Sequence, residues 1–173
     1  EDVSIGFIYI CDLDGFLKGT ADDITTTETL QLLNQIWTRL DEMTTKLDVW
    51  KVEHVLSEYL IAGGCPVWEP NHEKKIATAL ILIAQELERM NKDWDGQSKL
   101  NYKMGMHVGP VVGAVIGRTV KRYSLFGDTM NYAARMKSTS EKGRIQITAE
   151  TAQRLEKGNS SGLTTTFESF HLE

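Results

Sequence analysis

The order in which strand-type and helix-type segments follow one another constrains this fold more than any other feature of the sequence. Residues 3–11 are β-branched and aromatic and become continuously apolar, which is typical of a central strand. Apolar residues then recur at helical spacing over residues 26–47 and again over residues 72–91. Residues 48–62 and 101–117 each read as two strands joined by a turn. This part of the chain therefore predicts the order β-α-β-β-α-β-β.

The rest of the chain continues the alternation with shorter segments. An extended basic segment (residues 118–126) leads into a short helix (127–137), and a strand (144–148), a helix (149–157) and a final strand (164–171) follow. The complete order contains a βαββαβ unit. We therefore predict an α/β (α+β) fold with a ferredoxin-like core, an antiparallel-rich sheet with helices on one side.

The composition suits one globular domain. The chain has 173 residues, 41% hydrophobic and 25% charged, which is enough apolar material for a core and excludes a disordered chain. The formal net charge of −5 argues against a nucleic-acid binder, which would carry excess positive charge. The longest apolar candidate, residues 76–87, is broken by polar residues and too short to span a membrane. We therefore expect neither nucleic-acid binding nor membrane contact by this domain itself.

Two further features bear on localisation and domain boundaries. Cys11 and Cys65 are too few for a disulfide framework and fit a reducing compartment, so a cytoplasmic location is expected. Because the first residue is not Met and the last segment stops in mid-pattern, residues 1–173 are expected to be a single domain excised from a larger protein, without its last strands. Whether that larger protein is attached to a membrane stays open.

Four local clusters hold residues capable of chemistry, and each one alone also has an ordinary structural explanation. Residues 12–16 (Asp-Leu-Asp-Gly-Phe) end a buried strand, where carboxylates and a glycine suit Mg²⁺ and the phosphates it carries. Residues 51–54 (Lys-Val-Glu-His) place charges on an exposed strand face. Asn131 and Arg135 are spaced i, i+4 on a predicted helix and can reach one ligand together. His107 lies in a glycine-rich strand segment, where a structural role is more common than ligand binding.

Taken in order, these clusters resemble one family. The runs that carry the resemblance are CDLDGF, WKVEHVLSEYLIAGG, GMHVGPVVGAVIG, RYSLFGDTMNYAARM and GRIQIT. Over residues 4–172 the chain resembles the catalytic domain of class III nucleotidyl cyclases. The resemblance implies a head-to-tail dimer whose active sites lie at the interface and use residues of both subunits. It also implies the reaction, in which a ribose 3′-hydroxyl attacks the α-phosphorus of the same nucleoside triphosphate and expels pyrophosphate with the help of two Mg²⁺ or Mn²⁺ ions.

The resemblance assigns the metal-binding half of the site to the first strand and to the hairpin after the first helix. Asp12 matches the first metal-binding aspartate, and the backbone carbonyl of Leu13 would assist it. Gly15 and Phe16 lie in the loop that faces the substrate phosphates. The second metal-binding aspartate falls on Ser57, whose uncharged hydroxyl is a poor replacement for a carboxylate.

Neighbouring departures weaken the same half. Leu56 stands where the family usually has a turn glycine, and Asp14 adds negative charge to the phosphate loop. Glu58 should not replace the missing carboxylate, because adjacent side chains on a strand point to opposite faces. We therefore expect the metal ions to be held mainly by a partner subunit.

The other half of the site matches the family. Asn131 corresponds to the asparagine that orients the ribose, and Arg135 to the arginine that neutralises charge on the α-phosphate. Glu53 and Ser124 hold the two purine-reading positions. A carboxylate accepts from guanine N1–H and N2–H₂ and a serine hydroxyl donates to guanine O6, so the pair favours GTP. The Lys-Gly-Lys-Gly turn with which the family binds the triphosphate has no counterpart before Glu173.

These matches favour a guanylyl cyclase domain in cyclic GMP signal transduction, one that supplies the base-reading and transition-state half of a heterodimer. A homodimer stays open as the form of association. Two alternatives also stay open, a catalytically silent regulatory cyclase-homology domain and an adenylyl cyclase subunit. The presence of Glu53, Asn131 and Arg135 argues against the silent domain, because a scaffold needs none of them.

Overall fold

The computed structural model describes residues 2–11, 26–93, 99–119 and 121–157. The strands are β1 (Asp2–Cys11), β2 (Trp50–Val55), β3 (Glu58–Gly63), β4 (Asn101–Pro110), β5 (Val112–Ile116), β6 (Arg122–Phe126) and β7 (Arg144–Ile147). The helices are α1 (Thr26–Lys46), α2 (His72–Asp93), α3 (Asp128–Thr139) and α4 (Ala149–Lys157). Their bounds agree closely with the helices predicted from periodicity. The predicted final strand at 164–171 lies outside the described residues.

The central sheet has the strand order β2-β3-β1-β4-β7. Strand β1 pairs antiparallel with both β3 and β4, and β2 pairs antiparallel with β3. Strand β7 adds to the edge, parallel to β4. Strands β1 to β4 with α1 and α2 form the βαββαβ arrangement, so the predicted α/β (α+β) class with a ferredoxin-like core is confirmed.

Helices α1 and α2 cover one face of the sheet. Ile8 and Ile10 of β1 are fully buried there, together with Ile36 of α1 and Leu80 of α2. Each such side chain contributes about 1.5–3 kcal/mol by leaving water, so this layer is the main source of stability. Both helices keep a polar side towards solvent. None of the helices in the described ranges combines the length and apolarity that crossing a membrane requires.

Helix α3 covers the opposite face, which differs from the expectation of helices on one side only. Ile5 of β1 packs there with Leu60 of β3 and Ala133 of α3. Strand β1 is therefore buried on both faces, which explains why its sequence is apolar without alternation. The close approach of α3 depends on Gly105 of β4, because a Cβ at that position would lie 2.0 Å from the backbone nitrogen of Lys137.

Strands β5 and β6 form a hairpin of their own. Strand β4 ends at Pro110, where the sequence predicts a turn, but β5 pairs with β6 and not with the central sheet. Leu125 of β6 is buried in the cluster under α3. This contact fixes one side of the hairpin to the sheet and leaves the other side exposed.

Candidate active site

The turn between β2 and β3 lies beside the end of β1. Tyr9 of β1 is paired with Glu58 of β3, and the N–H of Ile10 donates a 2.9 Å hydrogen bond to the carbonyl oxygen of Ser57. Position 57 is therefore next to the strand that leads to the predicted metal aspartate, as the resemblance requires. The other predicted residues of this half lie outside the described residues: Asp12, Leu13, Gly15 and Phe16.

Leu56 adopts a left-handed backbone conformation at the tip of this turn. Its φ is 51° and the residue is 84% exposed. This conformation costs an L-residue roughly 1–2 kcal/mol, whereas glycine adopts it without a Cβ clash. The turn thus has a geometry suited to glycine at the position where the resemblance expects one.

The described residues do not build a metal site at this corner. Across residues 2–11, 26–93, 99–119 and 121–157, no three His, Cys, Asp or Glu side chains are grouped closely enough to hold an ion. Ser57 offers only a hydroxyl. The adjacent Glu58 carboxylate accepts a 2.5 Å hydrogen bond from the ammonium of Lys137, on the α3 side of the sheet. The Ser57 hydroxyl and the paired Glu58 carboxylate do not fit Mg²⁺ or Mn²⁺, because hard cations in proteins favour several carboxylate and carbonyl oxygens.

A β-bulge in β2 decides where Glu53 points. Lys51 is paired with Ile61 but Glu53 is paired with Leu60, so the register shifts between the two charged residues. Directly paired residues share a face, which places Lys51 on the α1 side and Glu53 on the α3 side. The expectation of one shared exposed face is wrong, because strict alternation stops at a bulge. Glu53 is exposed, and its carboxylate has no hydrogen-bond partner within the described part of the chain.

Ser124 lies in the middle of β6, on the hairpin that approaches β2. Tyr123 makes an edge-to-face contact with Trp50 of β2, with ring centroids 5.5 Å apart. Gly113 makes room for this tyrosine, since a Cβ there would lie 2.0 Å from its hydroxyl oxygen. The contact brings the strand of Ser124 to the strand of Glu53, on the side of the sheet that Glu53 faces. Ser124 itself lies on the other face of the hairpin from Tyr123, because side chains alternate along a strand.

Asn131 and Arg135 lie one turn apart on α3. The helix runs from Asp128 to Thr139, so their i, i+4 spacing places them on one side of it. Another side, with Ala133 and Met136, is buried against the sheet. Asn131 and Arg135 are both exposed, and neither side chain has a hydrogen-bond partner among the residues that the structure describes. The pair is therefore accessible to a ligand that approaches α3.

His107 is a buried structural residue. It is 8% exposed, its Nδ1 lies 2.8 Å from Oγ1 of Thr148, and its ring centroid lies 5.1 Å from that of Tyr132. Burial lowers the pKa of His107 in spite of the nearby Glu150 carboxylate. These contacts support the structural explanation that its sequence context favours.

A polar cluster between α1 and the β2–β3 hairpin was not predicted. The Tyr59 hydroxyl donates a 2.6 Å hydrogen bond to Asp41, and Nζ of Lys51 lies 2.6 and 2.8 Å from the two oxygens of the same carboxylate. Burial acts to raise the pKa of Asp41, but the hydrogen bonds from Lys51 and Tyr59 outweigh it and leave that pKa lowered. Lys51 therefore anchors the hairpin to α1. The sequence holds one sign of this cluster, because Asp41 and Thr44 lie at helical spacing from Trp37 and so place polar groups on the core-facing side of α1.

Comparison with known proteins places this geometry in one family. Residues 1–172 match the profile of the adenylate and guanylate cyclase catalytic domain. A membrane guanylyl cyclase of Dictyostelium discoideum is 32% identical over 148 residues, which are 86% of this chain and 9% of that protein. The soluble guanylate cyclase gcy-33 of Caenorhabditis elegans is 36% identical over 159 residues, 91% of this chain and 16% of that protein. The chain thus spans less than a fifth of the length of these curated relatives.

Solved structures agree with the sequence comparison. The guanylate cyclase domain of RhGC from Catenaria anguillulae, in complex with GTP, is 28% identical with a TM-score of 0.77, over 90% of this chain and 82% of that one. The adenylyl cyclase CyaB from P. aeruginosa has the same fold, with a TM-score of 0.81 at 20% identity. The match covers 90% of this chain and 81% of the CyaB chain. The predicted resemblance is confirmed, and the chain belongs to the family of adenylate and guanylate cyclase catalytic domains.

Proposed function

We propose that this chain is a guanylyl cyclase domain that converts GTP to cyclic GMP and pyrophosphate as the base-reading and transition-state half of a heterodimer. The observation that carries the proposal is an asymmetry. Glu53, Asn131 and Arg135 are exposed and have no partners among the described residues, whereas Ser57 offers no carboxylate and that of the adjacent Glu58 is paired with Lys137. The curated relatives reported above are guanylyl cyclases, which supports GTP as the substrate.

Glu53 and Ser124 would read the guanine base. The bulge in β2 turns Glu53 towards the side on which Trp50 meets the β5–β6 hairpin. From there its carboxylate would accept from guanine N1–H and N2–H₂, while the Ser124 hydroxyl would donate to O6. Adenine has no N2 amino group and presents a donor in place of O6. A site built in this way would leave polar groups unpaired with ATP and would therefore favour GTP.

Asn131 and Arg135 would act on the sugar and the reacting phosphate. Asn131 would orient the ribose so that its 3′-oxygen faces the α-phosphorus. As the O3′–P bond forms and the bond to pyrophosphate breaks, Arg135 would neutralise the charge that develops on the α-phosphate oxygens. The loss of one such interaction typically costs about 3–4 kcal/mol, or roughly 10²–10³ in rate.

The metal ions would be supplied mainly by the partner. The chemistry that Mg²⁺ or Mn²⁺ would supply when bound is a lower pKa of the attacking hydroxyl and neutralisation of charge on the leaving pyrophosphate. Ser57 cannot provide the carboxylate that such ions prefer. Asp12 and Leu13 remain predicted contributors of this chain, outside the described residues.

The β5–β6 hairpin would contact the partner. Val112, Ile116 and Phe126 share the hairpin face of Ser124 and are 66%, 51% and 47% exposed. Three large apolar side chains on one short hairpin fit the core of a protein interface better than free surface. The guanylyl cyclase domain of the RhoGC fusion protein from Blastocladiella emersonii has been solved both as a non-canonical dimer and as a monomer, so such domains can associate. We favour a heterodimer, because a symmetric pair of this chain would carry Ser57 in both sites.

Complementation between two forms of this chain tests the proposal. The complementing variant combines L56G and S57D, which rebuild the metal corner, with N131A and R135A, which remove the other half. We expect each form alone to make little cyclic nucleotide in Mn²⁺ or Mg²⁺, and the mixture to make cyclic GMP, identified by mass spectrometry, in preference to cyclic AMP. Cyclic GMP from the wild-type chain alone, at the rate of the mixture, would contradict the heterodimer.

The second candidate is a catalytically silent regulatory domain. The lack of a metal site in the described residues and the left-handed Leu56 favour it. It predicts that the mixture forms dimers in gel filtration but makes no product with either metal. Cyclic AMP as the main product would instead identify an adenylyl cyclase subunit.

A further inference from the structure

Lys137 of α3 reaches across two strands of the central sheet. The backbone of α3 touches β4 at this point, since a Cβ on Gly105 would lie 2.0 Å from the nitrogen of Lys137. Gly105 is paired with Phe7 of β1, and Tyr9 of β1 is paired with Glu58 of β3. Nζ of Lys137 lies 5.5 Å and 5.4 Å from the ring centroids of Phe7 and Tyr9 and 2.5 Å from Oε1 of Glu58. The side chain therefore passes over β1 and ends on β3.

This contact is better shielded from solvent than an ordinary surface ion pair. The side chain of Lys137 is 12% exposed and that of Glu58 is 43% exposed. Two aromatic rings attract the ammonium, and the Glu58 carboxylate accepts a hydrogen bond from it. Removing the Glu58 carboxylate would leave the largely buried Lys137 ammonium without its anionic partner, so the contact holds the two elements in one arrangement.

The geometry points to a positioning role: the Lys137–Glu58 pair, with Phe7 and Tyr9, clamps α3 to β3 and thereby sets the place of Arg135. This inference rests on the proposed function. Lys137 follows Arg135 by two residues in the same helix, so any shift of α3 at Lys137 is passed to Arg135. Neither member of the clamp is placed on the substrate. A catalytic group misplaced by about 1 Å can cost on the order of 10²-fold in rate, which makes the clamp important for turnover.

Kinetics of the active mixture test the role in turnover. Lys137→Met is introduced into the form that keeps Asn131 and Arg135, and this form is mixed with the complementing variant. We expect kcat to fall by roughly tenfold or more and KM for GTP to stay within about twofold of the unmodified mixture, because Arg135 acts in the transition state. Lys137→Arg keeps the charge and should restore most of the activity. The matched control is Lys75→Met, which breaks the 2.7 Å pair of Lys75 with Glu69. A loss of kcat no larger than that of the control would overturn the inference.

Hydrogen exchange tests the clamp without any cyclase activity. Backbone amides of α3 should exchange roughly tenfold faster in Lys137→Met and in Glu58→Ala, and combining the two changes should add little, because either one removes the same contact. Lys75→Met should leave α3 unchanged. If no mixture makes product, the proposed function fails, and the exchange data decide the clamp separately. Faster exchange in α3 supports it, and unchanged exchange overturns it.

Discussion

Replacing Leu56 by glycine should stabilise the chain, because the residue holds a φ of 51° at the tip of the β2–β3 turn. An L-residue in this region destabilises the fold by about 1–2 kcal/mol, and glycine removes this strain. Glycine also destabilises the fold by roughly 0.5–1 kcal/mol, because its backbone has more entropy in the unfolded chain. Little apolar burial is lost, since Leu56 is 84% exposed. The expected net gain is therefore about 0.5–1 kcal/mol.

Urea unfolding of the isolated chain measures this gain. With a denaturant slope of about 2 kcal/mol per molar, the midpoint should rise by roughly 0.3–0.5 M while the slope stays the same. The matched control is Leu56→Ala, which removes most of the side chain but keeps the Cβ that causes the strain. It should leave the midpoint almost unchanged.

A second control uses another left-handed residue. Asn71 has a φ of 58°, and asparagine tolerates this region through local hydrogen bonds, so Asn71→Gly should give a smaller gain than Leu56→Gly. If Leu56→Gly is no more stable than Leu56→Ala, the left-handed turn does not store the energy assigned to it. The reasoning about this corner would then be refuted.

Three further measurements test other parts of the molecule. Glu53→Lys with Ser124→Asp should move the ratio of kcat/KM of the active mixture from GTP towards ATP by about tenfold or more, since each unmatched buried polar group costs roughly 1–3 kcal/mol; an unchanged ratio would mean that the partner reads the base. Gly105→Ala should destabilise the chain in thermal unfolding by about 2 kcal/mol or more, because its Cβ would meet the backbone of α3 at 2.0 Å. The control for this variant is Gly143→Ala, because Gly143 has a φ of 76° but no atom within 4 Å of an added Cβ. Gly143→Ala should therefore lower the free energy of unfolding by only about 1 kcal/mol and leave turnover unchanged. Burial lowers the pKa of His107, so at acidic pH the unfolded chain binds a proton that the folded chain does not. The free energy of unfolding should therefore fall as the pH drops below about 6.5. Urea unfolding at about pH 7.5 and 5.5 should show a smaller fall for His107→Gln.

Local periodicity accounts for most of what could be predicted. Helix α4 occupies the predicted residues 149–157, and the spacing of Asn131 and Arg135 on α3 follows from the helical period alone. The place of Ser57 beside β1 follows from the strand order of a βαββαβ core. These features depend on neighbours in sequence or on a few topological rules, so a single sequence reveals them.

The missed features depend on tertiary contacts. The bulge between Lys51 and Glu53 interrupts an alternation that looks regular in sequence, and only the pairing with β3 reveals it. The clamp joins Glu58 and Lys137 across 79 positions, and each residue alone resembles a solvated charge. The second layer under α3 was also missed, although the unbroken apolar run of β1 is the signal for it.

The proposed heterodimer accounts for the way in which the departures from the family pattern are distributed along this chain. Within the described residues Glu53, Asn131 and Arg135 make no side-chain hydrogen bonds, so they add little to the stability of the fold and a pure scaffold could replace them at small cost. The departures at Leu56 and Ser57, by contrast, meet at one turn next to the end of β1. A site shared between two subunits has halves that can be lost separately. In a symmetric dimer the loss at position 57 would remove both sites, whereas in a heterodimer it removes one and leaves the other dependent on the residues that this chain still carries.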